Sequence, residues 1–274
     1  MAKHCHAVLM EYDTVIIGAT AAGLGAAFAK KGKTLMIDKH PHVACEYVQS
    51  FYYGTNWNAH PLTPEAAHLR DELFARGILS DDGRVHLPAV LPMLYHQLKE
   101  SGIDLLLMTN VTNIERTAEG YALELFCVKG YLRILARTVI DTANCPFLYE
   151  SAPQNIRVKS LNAILYGGKQ PPVWEGEAAR IVPGKLEGEY VLRFFVSPDE
   201  TISGARKKLH QLWKSRPAAL LDWTIAATAD YFAYQADVLD RETSPNYIDL
   251  NPRGYDNVLD AFDAGARCAR KEAL

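Results

Sequence analysis

The sequence predicts a Rossmann-like α/β fold with an inserted antiparallel β-meander and a second, small α+β domain. Three observations carry the prediction. Asp13 to Asp38 reads as strand, glycine turn, helix and strand. A cluster of short strand-like runs separated by tight turns lies between Ile103 and Ala136. A further apolar run, Thr138 to Thr142, reads as a buried strand returning to the first sheet.

In order, Thr14 to Ile17 is a β-branched apolar run of the kind that suits a buried parallel strand. The turn Gly18-Ala19-Thr20-Ala21-Ala22-Gly23 follows, then an Ala-rich helix to about Lys31 that stops at Gly32. Thr34 to Ile37 is a second strand, and Asp38 stands 20 residues after Gly18. Gly18 permits the sharp turn, and Gly23 lets helix and strand pack closely. The N–H groups at the helix start then offer a seat for a pyrophosphate. A carboxylate at the Asp38 spacing suits the hydroxyls of a ribose. One position departs from this pattern: Thr20 stands where the middle glycine is expected, and its hydroxyl is available to donate to a phosphate oxygen.

The stretch from Lys39 to His60 has no clear period and is rich in aromatics, among them Tyr47, Phe51, Tyr52, Tyr53 and Trp57, interleaved with His40, His42 and His60. It leaves the sheet edge where ligands bind in such folds. Stacking on a flat ligand and pinning of the loop to the core are both open. Thr63 caps a helix with Pro64 in its first turn, running to about Arg76 with Gly77 as its stop. A second helix spans about Leu87 to Lys99 and ends at Gly102. Strands are expected at Ile103 to Met108, Val111 to Arg116, Tyr121 to Val128 and Tyr131 to Ala136, followed by the separate strand Thr138 to Thr142. Beyond it, Arg157 to Tyr166, Ala179 to Val182 and Tyr190 to Val196 read as β. Helices are expected over Thr201 to Ser215 and Ala218 to Ala236, and a last helix runs from about Val258 to Lys271.

The stretch GATAAGLGAAFAKKGK, the acid Asp38, the meander and the return strand ARTVIDTA together resemble the FAD-dependent oxidoreductases of the glutathione-reductase structural type. The likeness extends to bacterial members whose fingerprint carries a Thr for the middle glycine. The resemblance implies FAD as cofactor and an oxidoreductase that accepts hydride on the flavin from a small organic substrate. Carried over residue by residue, it implies a pyrophosphate and ribose site at Gly18, Thr20, Ala21, Ala22, Gly23, Asp38 and Lys39. It also implies adenine at the backbone of Val111 and a strand end near Ala143. The terminal helix would point its positive end, at Asp256, Asn257 and Val258, toward the flavin. His60, His42 and Tyr53 are the candidate bases. The family's return strand usually closes on a glycine, where this chain has Thr142-Ala143-Asn144, and Cys45 has no CxxxxC partner. A degenerate flavoprotein fold kept as a binding or scaffolding subunit, and an NAD-dependent dehydrogenase, are the alternatives.

This reading divides the chain into an FAD-binding domain, residues 1–150 plus 246–274, and a small substrate domain, residues 151–245. A net charge of −3 gives no electrostatic case for nucleic acid or an anionic membrane, and no apolar run approaches a membrane span. The first ten residues are too short and interrupted for a signal peptide. Five cysteines without a CxxC pair point to reduced thiols and a cytoplasmic protein. His4-Cys5-His6 is a terminal tail rather than a metal site. The chain is short for the family it resembles, which suggests a homo-oligomer or a partner subunit completing the site.

Overall fold

The computed structural model describes residues 10–143, 156–168, 170–237 and 241–271. The His4-Cys5-His6 tail, Asn144 and Cys145 lie outside them.

Strand β1 (Met10–Ile17) leads into helix α1 (Ala21–Ala29) and strand β2 (Thr34–Ile37). A single helical turn, α2 (Cys45–Val48), and two longer helices, α3 (Pro64–Ala75) and α4 (Leu87–Ser101), precede β3 (Asp104–Leu106). Then come β4 (Asn110–Thr117), β5 (Gly120–Cys127) and β6 (Gly130–Asp141). The chain continues through β7 (Ile156–Gly167), β8 (Ala179–Pro183), β9 (Tyr190–Phe195) and α5 (Ile202–Lys214). A 3-10 turn (Ala218–Leu220), β10 (Trp223–Thr228), β11 (Ala233–Ala236), β12 (Arg241–Ser244), β13 (Tyr247–Asp249) and α6 (Val258–Lys271) complete it.

The first sheet runs β12-β13-β6-β1-β2-β3, with β4 and β5 extending it as a meander from β6. β1 is flanked by parallel partners on both sides, Val15 opposite Leu35 and opposite Val139. Its strands are apolar on both faces because both are covered. Ile16, Met36 and Ile140 point into the core shared with α1, α3, α4 and α6. Val15, Ile17, Leu35 and Val139 point under the meander, against Tyr121, Leu123 and Leu125. Thr63 caps α3 by accepting the Ala66 N–H at 3.3 Å, and Gly102 closes α4 at φ +74°. The second sheet, β10-β7-β9-β8 with β11 also on β7, buries one face against α5 through Leu161, Leu192, Leu209 and Trp213.

Two expectations are corrected. Tyr131 to Ala136 and Thr138 to Thr142 are not separate strands: β6 is one ribbon whose first half pairs antiparallel with β5 and most of whose length pairs parallel with β1. The helix expected over Ala218 to Ala236 is a 3-10 turn and two strands. Trp223, Thr224, Ile225 and Thr228 are aromatic and β-branched residues that fit a half-buried sheet surface. The long β7 offers them an edge, its C-terminal half pairing β10 and its N-terminal half pairing β11. Among the described residues no helix is long and apolar enough to cross a membrane.

Candidate functional site

A cavity of about 500 Å³ opens at the C-terminal ends of β1, β2 and β6, where an open α/β sheet binds ligands. Gly18, Thr20, Asp38, Lys39, Val111 and Ala143 line it, together with His40, Cys45 and Glu46 after β2, Asp230 to Phe232 and Tyr234 around the start of β11, and Arg253 before α6.

The turn into α1 is built on close approach to β6. Gly18 holds φ +99°, and a Cβ there would lie 2.5 Å from Thr142 Oγ1. A Cβ on Gly23 would lie 2.2 Å from the Gly18 carbonyl oxygen. Thr142, where the fingerprint's return strand is drawing to its close, uses its hydroxyl to tie the two strands: it lies 2.9 Å from the Gly18 carbonyl and receives the Thr20 hydroxyl at 2.8 Å. Thr20 also caps α1 by accepting the Gly23 N–H at 3.0 Å. Its hydroxyl is thus held by the chain itself, through Thr142 and the Gly23 N–H.

Two carboxylates reach the same turn. Asp38 is buried, and its Oδ2 accepts the Ala19 N–H at 2.6 Å. Its Oδ1 accepts the His40 N–H and faces His40 Nδ1, both at 2.8 Å. Glu46, on the single turn α2, places Oε1 2.6 Å from the Ala21 N–H in the first turn of α1. Burial pushes the Glu46 carboxyl up to about 7, with Asp38 adding to the rise. Burial also pushes the Cys45 thiol up to about 12, and its Sγ–H donates to the His42 carbonyl at 2.8 Å, so Cys45 is a protonated thiol rather than a nucleophile. The edge of the His40 ring meets Tyr231 at 5.2 Å.

The remaining predicted residues lie elsewhere. Ala21, Ala22 and Gly23 are buried in α1 behind the cavity wall. His60 is exposed and away from the cavity. His42 Nδ1 faces the Tyr95 hydroxyl at 3.5 Å. Tyr53 is buried and donates to Glu189 Oε1 at 2.5 Å. None of these three bases lines the cavity. Asp256, Asn257 and Val258 start α6, but this end is closed by the chain: Asn257 Oδ1 accepts the Asp260 N–H at 2.9 Å, and its amide donates to the Thr55 carbonyl at 2.7 Å. The Thr55 N–H donates to the Asp256 carbonyl at 3.2 Å, so residues 54–55 pack against this end of α6. The aromatic stretch supplies core: Tyr47, Tyr52, Tyr53 and Trp57 are all buried.

Among the lining residues not singled out from the sequence as site residues are His40, Cys45, Glu46, Arg253, and Asp230 to Phe232 with Tyr234. A helix assignment hid the last of these, because the pairing that makes them a loop and strand lies on β7. Nothing local marks Glu46; its role depends on where α2 is set down. Cys45 and Cys127 are free thiols, and no group of three metal-ligating side chains forms among the described residues.

No family model matches this sequence, and no curated protein does. Solved structures do match. A geranylgeranyl bacteriochlorophyll reductase-like protein from Thermoplasma acidophilum superposes with a TM-score of 0.66 at 16% identity, covering 97% of this chain and 79% of its own. Aklavinone-11 hydroxylase, solved with FAD and aklavinone, gives 0.67 at 13% identity, covering 96% and 62%. Glycine oxidase from Geobacillus kaustophilus gives 0.64 at 15% identity, covering 96% and 95%. The Rossmann-like α/β fold is shared with these proteins. At such identities the likeness is one of fold.

Proposed function

We propose that the chain is an FAD-binding oxidoreductase acting on a small organic substrate. The observation that carries this reading is the cavity at the Gly18 turn, set between the ends of β1, β2 and β6 in a fold that one neighbour presents with FAD bound. The cradle suits a dinucleotide: Gly18 turns the chain tightly against the return strand, Val111 and Ala143 flank the cavity, and Lys39 and Arg253 bring positive charge to the wall. Residues 1–150 plus 246–274 would form the cofactor unit and 151–245 the substrate unit. This division is supported by the return of β13 to the side of β6 after the second sheet is complete. Bound flavin would supply two-electron chemistry, and the chain would supply position and charge. His40, held by Asp38, lies at the end a ribose would take, so it serves binding rather than proton transfer.

The purified protein is expected to show flavin absorption, and denaturation is expected to release FAD. A colourless protein that takes up no added FAD would overturn the reading. A second reading, a binding subunit without catalysis, is favoured by the absence of His42, Tyr53 and His60 from the wall. It predicts bound flavin that no amine, alcohol or phenol bleaches anaerobically.

A further inference from the structure

The start of α1 is a poor seat for an anion in one respect: the chain has already filled it with its own. Ala21 N–H points to Glu46 Oε1 and Ala19 N–H points to Asp38 Oδ2, both at 2.6 Å. In a helix start that offers its N–H groups to a phosphate, these are the donors an incoming pyrophosphate needs. Glu46 lines the cavity, so a phosphate near α1 would meet a carboxylate of like charge in a partly desolvated place. Like charges so placed repel strongly, because little water screens them.

We propose that Glu46 is an internal occupant of the pyrophosphate position, competing with the dinucleotide phosphates for the first turn of α1, so that loading FAD requires Glu46 to be neutralised or swung away. The inference rests on the FAD reading above. Asp38 is the less mobile of the two carboxylates, because both its oxygens are bonded and it is only 8% exposed. Glu46 stands on a helix of one turn, and its carboxylate is held by the Ala21 N–H and by its own backbone N–H; rotation about its side chain releases Ala21 without disturbing the sheet.

The groups around Glu46 set the sign of its pH response. Asp38, Lys39 and His40 follow β2, Asp230 and Tyr231 precede β11, and Arg253 precedes α6. Burial, then Asp38, raise the Glu46 value; the hydrogen bonds from the Ala21 N–H and from its own backbone N–H, then His40, lower it. A carboxyl raised to about 7 is charged above that pH and neutral below it. Phosphate binding therefore strengthens as pH falls through this range. Glu46→Gln keeps the shape and the carbonyl acceptor for Ala21 N–H while removing the charge.

Titrations of the full chain with FAD, with ADP and with riboflavin, followed by calorimetry and flavin fluorescence at about pH 6 and about pH 8, bracket the Glu46 value. Glu46→Gln is expected to tighten FAD and ADP about tenfold or more at the higher pH. Wild type is expected to gain on acidification and the variant to stay nearly level. Riboflavin, which has no pyrophosphate, is expected to be indifferent to the substitution. Equal FAD affinity in both proteins at the higher pH overturns the inference and leaves the FAD reading standing. FAD bound by neither protein at either pH overturns both.

Discussion

Thr20 performs three tasks that a glycine in its place would leave undone. Its hydroxyl accepts the Gly23 N–H, it donates to Thr142, and through Thr142 it links the turn to the return strand. The loss of the middle glycine and the threonine that follows Asp141 are thus one arrangement: two hydroxyls bridge where close backbone approach would otherwise hold the turn. Thr20→Ala is expected to lower the free energy of unfolding by about 1 kcal/mol, the usual worth of such a cap. Thr20→Ser is expected to keep most of it. Urea denaturation of the three proteins measures this, and an alanine variant as stable as wild type would show that the cap contributes nothing. The glycine turn and the acid were legible from spacing, since both belong to a local pattern. The partners of Thr20 were not: Thr142 is 122 residues away.

At the scale of elements, α1 and α6 lie against each other closely enough that only glycine fits at two crossing points. A Cβ on Gly25 would lie 1.8 Å from the Phe262 carbonyl oxygen, and one on Gly265 would lie 1.8 Å from the Ala22 carbonyl oxygen. The small residues along the last helix, Ala261, Ala264 and Gly265, are the sequence trace of this contact. The helix that carries them is present as Val258–Lys271, as expected. Neither glycine holds a positive φ, so the constraint is space rather than backbone freedom. Gly25→Ala or Gly265→Ala is expected to force the two helices apart at a cost of about 1–3 kcal/mol or more. Thermal denaturation reads the loss, and a variant that melts with wild type would show that the helices give way freely. Beyond this packing, the start of α6 is tied to Thr55 through Asn257.

For the whole molecule, one carboxylate joins the two sheets' surroundings. Glu189, at the mouth of the β8–β9 hairpin, receives the Tyr53 hydroxyl at 2.5 Å, faces His86 Nδ1 at 2.9 Å and accepts the Leu186 N–H at 3.0 Å. Burial and the neighbouring carboxylate both raise the Tyr53 phenol, which stays protonated and donating. Tyr53, one of the candidate bases, ties the aromatic stretch to the second sheet through Glu189. Glu189→Ala strands a buried hydroxyl and is expected to lower stability by about 1–3 kcal/mol. Fluorescence-monitored unfolding checks this, and an unchanged midpoint would show that the tether is idle.

The parallel run of β1 and β2, the glycine turn and the ends of α3 and α4 follow from periodicity, capping and turn chemistry. All of these act within a few residues of chain. The strands from Trp223 to Ala236 did not follow from such cues, because their conformation is set by pairing with β7 far upstream. The state of the cavity did not follow either. Whether the N–H groups of the Gly18 turn face a ligand or the chain's own acids depends on Asp38 and Glu46, which reach it from 19 and 25 residues away. A hydrogen bond across that distance is decided by where the chain packs, so spacing alone predicted the seat and the tertiary structure supplied its present occupants.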